Sequence, residues 1–218
     1  MTSDALTAAR IGRFACIAGI IEGVLYLLVI GLLVGMGALP PPEPWASLIA
    51  VLLLVTIATL LVVAVAACWL APAGRRPWAV LALVCMIIFS VYVSIVRLLQ
   101  LALLRPLWNE TLPPELALLH PYALPSLGFT LEVSGWGFWL GLALLALAAT
   151  FRGVRRPDWM AWIFTGSGLL ALVAGLAPIL GASWLTTFGI LAWGPGLIAG
   201  LWLLAAEFRS FQQEHTIV

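Results

Sequence analysis

The sequence predicts an all-α, polytopic transmembrane bundle of six helices with both termini in the cytoplasm. Three observations carry that prediction. The 218 residues are 64% hydrophobic and only 9% charged. A soluble domain is about 25% charged, and so little polar surface could not cover this much apolar material in water. Six stretches reach the roughly 20 apolar residues that a helical crossing of the hydrocarbon core requires. The chain has no lysine, and eight of its ten cationic residues, Arg10, Arg13, Arg75, Arg76, Arg152, Arg155, Arg156 and Arg209, flank those stretches where six alternating crossings meet one side. Such an excess in short connections marks the cytoplasmic face. Arg105 falls on the opposite side, and Arg97 lies inside an apolar stretch.

The first predicted helix covers residues 14–36 and is ended by Pro40, Pro41 and Pro42, which cannot continue a helical ladder. The polar segment before it leads into an apolar run too long for a signal-peptide core, so it is read as retained. The second helix covers 45–70 and stops before Pro72 and Gly74, and the third covers 78–104, ending at Arg105 and Pro106. The fourth covers 126–151, the fifth 159–180 and the sixth 185–207, so that residues 1–218 read as one transmembrane domain. In the connection between the third and fourth helices, Pro113 and Pro114 are placed to start a short interfacial helix over residues 115–120. Trp45, Trp69, Trp78, Trp108, Trp159, Trp162 and Trp184 sit close to predicted ends, where an indole keeps its N–H wet and its ring in lipid. Trp136, Trp139, Trp193 and Trp202 fall inside helices and read as packing or lipid-facing residues rather than a ligand cage.

Small residues suggest which helices pack closely. Gly19/Gly23 and Gly31/Gly35 in the first helix, Gly137/Gly141 in the fourth and Gly196/Gly200 in the sixth have the spacing that lets backbones approach, and the fifth carries Gly166, Gly168 and Gly175. The second and third helices have no glycine, so they are expected to be more peripheral. Pro195 predicts a static bend in the sixth helix. The halves on either side of residues 105–125 would run in opposite orientation, with Glu22 near Gly23 loosely echoing Glu132 near Gly135. Inverted repeats of that kind underlie many transporters.

Ionisable groups inside a membrane cost about 2.5–3.5 kcal/mol each on insertion scales, which makes them functional candidates. Glu22, Arg97 and Glu132 are the three. At 1.5 Å of rise per residue, Arg97 and Glu132 lie at equal depth, about 10 Å from the same surface. They are natural partners, either as an interhelical clasp or as a contact for an anionic or polar ligand, with Gln100 one turn beyond Arg97. Glu22 lies near mid-membrane, and its helix face is shared by Tyr26 at i+4. It has no cation at its own depth. Its carboxyl is expected to donate a hydrogen bond to a neighbouring carbonyl or hydroxyl, unless Arg97 leans inward to it. A carboxyl there suits proton-coupled transport or capture of a cationic amphiphile, and equally a tie between two helices. Candidate ligand-binding residues are therefore Glu22, Tyr26, Arg97, Gln100 and Glu132.

No cofactor and no metal are expected. Cys16, Cys68 and Cys85 read as small buried hydrophobes. His120 and His215 fall on opposite sides, which leaves no histidine pair for haem or zinc. Without lysine there is no Schiff-base chemistry, and no nucleophile–base pair argues for an enzyme. A net charge of +1 without a basic patch gives no reason to expect nucleic acid. Asn109-Glu110-Thr111 matches a glycosylation acceptor.

The segment Leu131-Glu132-Val133-Ser134-Gly135-Trp136-Gly137-Phe138, the turn ending Pro157-Asp158-Trp159, and Phe208-Arg209 resemble uncharacterised bacterial six-helix membrane proteins of unknown function. The likeness covers mainly residues 126–209. It implies a bacterial plasma (inner) membrane and supplies no activity. Two roles stay open: binding or moving a small or lipid-like molecule, with membrane lipid as a partner, or serving as a non-catalytic accessory subunit that binds another membrane protein or its own copies.

Overall fold

The computed structural model describes residues 3–108, 110, 112–123, 125–153 and 158–216, and every regular element among them is helical. Arg155 and Arg156, together with Asn109 and Thr111 of the acceptor triplet, lie outside the described residues, as does the side chain of His215. Six helices are long and apolar enough to cross a membrane: α1 (Asp4–Gly35), α2 (Trp45–Leu70), α3 (Ala73–Leu107), α4 (Leu127–Phe151), α5 (Trp159–Leu180) and α6 (Ser183–Glu214).

Hydropathy located the apolar stretches but not all the helix ends. α1 begins well before the expected residue 14, because Ala5, Ala8 and Ala9 are strong helix formers that carry the hydrogen-bond ladder through the polar segment. α6 likewise runs past residue 207. α3 opens with a 3-10 turn over Ala73–Arg75, and Pro77 sits in the first turn of the α-helical part that begins at Arg76, where its missing N–H costs nothing. The short helix of the connection covers Pro114–Ala117 rather than residues 115–120, with a proline in its first turn.

Each helix packs on the next in sequence, and α6 returns to α1, so the six form a closed ring. The interior is filled by side chains from all six, Phe89, Phe164, Phe208, Leu33, Leu60 and Leu140 among the most buried. Six alternating passes bring Arg10, Arg13, Arg75, Arg76, Arg152 and Arg209 to the end that carries both termini, and Arg105 to the far end. At the terminal end Arg75 Nη1 donates to the Ala149 carbonyl at 2.6 Å, capping the last turn of α4 and fixing it to the start of α3.

The closest backbone approach is between α4 and α5. A Cβ on Gly137 would overlap the Gly175 backbone, and one on Gly141 would lie 3.0 Å from the Gly168 carbonyl oxygen. Contact of this kind is what holds helix pairs together where lipid rather than water surrounds them. Gly31 and Gly35, by contrast, have nothing within 4 Å of a Cβ position. The expectation that α2 and α3 are peripheral is overturned: 44% and 39% of their most apolar windows are buried, against 11% for α1. The physical reason is alanine. Ala46, Ala50, Ala64, Ala66 and Ala67 of α2 and Ala79 and Ala82 of α3 are buried, and supply the small surface that glycine supplies elsewhere.

Among the described residues three helices contain a π-helical turn, all nearer the far end than the termini: Gln100–Leu104 in α3, Ser134–Trp139 in α4 and Ala192–Gly196 in α6. The last contains Pro195, so the missing N–H is accommodated by a widened turn.

Candidate functional site

The far half of the ring contains a buried polar cluster built on α3 and α4. Arg97 lies one turn before the π turn of α3, and Glu132 just before that of α4. Arg97 Nη2 donates to Glu132 Oε1 at 2.5 Å, with only 3% and 9% of the two side chains exposed. Arg97 Nη1 donates to Gln100 Oε1 at 2.6 Å and to Tyr122 Oη at 3.1 Å. Gln100 is the most deeply buried polar side chain of the group, and its Nε2 donates to the Ala46 carbonyl of α2 at 3.0 Å. Trp136 Nε1 donates to the same Glu132 oxygen that Arg97 uses, at 2.9 Å.

The guanidinium also lies 5.5 Å from the centre of the Tyr122 ring, within cation–π range. Tyr26 of α1 packs against the core beside the cluster, within electrostatic range of Arg97 and Glu132. Phe89 meets Trp136 edge-on with ring centres 4.8 Å apart, and Trp193 of α6 lies 5.9 Å from Trp136. All three π turns thus contribute to one region: Gln100 from the first, Trp136 from the second and Trp193 from the third.

Tyr122 reaches Arg97 because the connection between α3 and α4 is held down on the bundle. Ser126 caps α4, accepting from the Phe129 N–H at 2.9 Å and donating to the His120 carbonyl at 2.6 Å. The Leu118 carbonyl accepts from the N–H groups of Leu127 and Gly128 at 2.8 and 3.1 Å. Only glycine fits at 128, since a Cβ would strike the Leu119 carbonyl. Trp108 stacks on His120 with ring centres 5.0 Å apart, and its Nε1 donates to the Pro41 carbonyl at 2.7 Å. The Tyr122 N–H donates to His120 Nδ1 at 3.2 Å, and partial burial pulls the His120 imidazole below its ordinary value.

Arg97, Gln100 and Glu132 therefore come together as their depths predict, with Tyr26 beside them. Glu22 does not join through Arg97. It accepts instead from Thr59 Oγ1 of α2 at 3.0 Å, so a hydroxyl partner is present but the carboxyl is the acceptor rather than the expected donor. Three participants are not among the candidate site residues read from the sequence: Tyr122, Thr59, and Trp136, which reads there as a packing residue. Trp136 follows Glu132 by four residues, a spacing that signals contact on a helix. Tyr122 has no periodic signal, because a connection rather than a helix places it.

Three buried polar atoms of these groups have no partner among the described residues: Arg97 Nε, Glu132 Oε2 and Glu22 Oε2. Trp193 Nε1 is a fourth. A buried unpaired donor or acceptor costs about 1–3 kcal/mol, so each calls for a reason. Among the described residues no three His, Cys, Asp or Glu side chains converge on a point. Comparison with protein-family models, with curated proteins and with solved structures found no match.

Proposed function

We propose that this chain is a multi-pass plasma-membrane protein with cytoplasmic termini that binds or moves a small or lipid-like molecule through the Arg97–Glu132 cluster. One observation carries the reading. An arginine and a carboxylate, buried together, form one hydrogen bond where the fork geometry offers two parallel ones, and leave Nε and Oε2 open. A pair serving only as a clasp gains from closing both bonds. The three π turns around it support the same reading, because such turns recur at functional sites. The gathering of arginines at the terminal end supports the orientation. Activity of a reporter fused after Val218 in the cytoplasm, and of one inserted at Glu115 outside it, tests that orientation.

The ligand reading is tested by native mass spectrometry from mild detergent, comparing the wild type with a double variant, Arg97→Met with Glu132→Leu. The wild type is expected to retain a small or lipid adduct that the double variant loses. An adduct unchanged in the variant refutes the site. The accessory-subunit reading has its own support in α1, whose Gly31 and Gly35 meet nothing and whose apolar residues are largely exposed. A stoichiometric protein partner in the same spectra would favour it.

A further inference from the structure

We infer that the group received by this site is an uncharged hydroxyl, of the kind carried by a lipid alcohol or a small polyol, rather than an anionic or cationic headgroup. The inference rests on the reading of the cluster as a ligand site and names what the site selects. Two features of the pair lead to it.

The first is the character of the open atoms. Arg97 Nε carries one N–H and can only donate, whereas Glu132 Oε2 belongs to a carboxylate and can only accept. Nη2 and Oε1 are already joined at 2.5 Å, and Nε and Oε2 are each two covalent bonds from one of those atoms. The open donor and the open acceptor therefore belong to the same ion pair. Their complement is one group that accepts and donates at once, and a hydroxyl does both through a single oxygen. A carboxylate or phosphate brings only acceptors and would leave Oε2 facing another anionic oxygen. An ammonium brings only donors and would face the guanidinium.

The second feature is charge. Arg97 and Glu132 cancel within a cluster whose other members, Gln100, Tyr122, Trp136 and Tyr26, are neutral in their ordinary forms. A neutral guest leaves that balance intact. A charged guest would bring an uncompensated charge into a region where both ionic side chains are more than nine-tenths buried, and burial of such a charge is strongly disfavoured. Trp193 Nε1 is a further buried donor without a partner among the described residues, on a ring whose centre lies 5.9 Å from that of Trp136.

The test uses the full chain in detergent micelles and reads thermal stabilisation by four probes: dioleoylglycerol, glycerol, oleate and oleylamine. Wild type is expected to bind an uncharged alcohol at least about tenfold more tightly than oleate or oleylamine, the discrimination that one unpaired buried hydrogen bond carries. Dioleoylglycerol alone active identifies a lipid source, and glycerol equally active identifies a soluble one. Charge variants supply a second readout. Glu132→Gln keeps the shape but leaves the cluster at one positive charge, so preference should move to oleate. Arg97→Gln should move it to oleylamine. Should either variant fail to fold, the wild-type ranking still decides. Tighter binding of oleate or oleylamine by the wild type overturns the hydroxyl assignment and leaves the ligand site standing. Stabilisation by none of the four overturns both.

Discussion

Arg97 and Glu132 offer a double-mutant cycle whose outcome follows from their surroundings. Glu132→Leu alone strands a guanidinium that is 3% exposed and removes the acceptor of Trp136 Nε1. Arg97→Met alone strands the carboxylate and takes the donor from Gln100 Oε1. Breaking one side of a buried ion pair costs about 3–5 kcal/mol, and each single variant should fall in that range. The double variant has no buried charge. What remains is an indole N–H and an amide oxygen short of a partner, each at the low end of about 1–3 kcal/mol because polar groups in a membrane bundle find substitute partners. The double variant should therefore be more stable than either single one, with a coupling energy of several kcal/mol. Reversible unfolding in mixed micelles, followed by steric trapping or by loss of helical signal, measures all four corners. Additivity within about 0.5 kcal/mol would refute the pairing, since residues without a shared contact behave that way.

Two further outcomes follow. Gly137→Ala should cost about 1–3 kcal/mol, because the new methyl meets the Gly175 backbone, which cannot step aside without parting α4 from α5; Gly31→Ala, facing open space, should be neutral or stabilising by up to about 1 kcal/mol in the same unfolding assay. Burial lowers the His120 value in the folded chain, so as pH falls from about 6.5 toward that lowered value the unfolded chain takes up a proton that the folded one refuses, and stability declines across that window. His120→Gln should flatten the thermal midpoint over the same window, and an unchanged slope would remove His120 from the account.

What could be read from the sequence, and what could not, divides along a physical line. Spans, their number and the depth match of Arg97 with Glu132 depend on constants of the α-helix, its rise and the thickness it must cross. No knowledge of neighbours is needed for these. Gln100, three residues after Arg97, and Trp136, four after Glu132, are within reach of the same helical spacing. Placement past the π turns that Gln100 opens and Trp136 occupies is not, because extrapolation at 100° per residue misplaces side chains beyond each turn. Tyr122 depends on the path of a connection, which is set by Ser126, the Leu118 carbonyl and the fit of Gly128 rather than by any pattern of apolar residues.

The misjudged periphery of α2 and α3 has a similar origin. Glycine is conspicuous in a sequence, whereas alanine in an Ala-rich chain is not, and only the packing tells which alanines meet another helix. The same distinction bears on function. Gly137 and Gly141 hold α4 against α5 through backbone contact, and so fix the helix that presents Glu132 and Trp136. α3 is held from three directions: by Arg75 to α4 at the terminal end, by Gln100 to α2, and by Arg97 to the connection through Tyr122. Arg75 and Gln100 on α3 and Gly137 and Gly141 on α4 thus anchor both helices at points other than the ion pair, so failure to form the second Arg97–Glu132 bond is not for want of support. The atoms left open belong to a braced site, which is the condition under which an incoming hydroxyl, rather than a rearrangement of the pair, completes the hydrogen bonding.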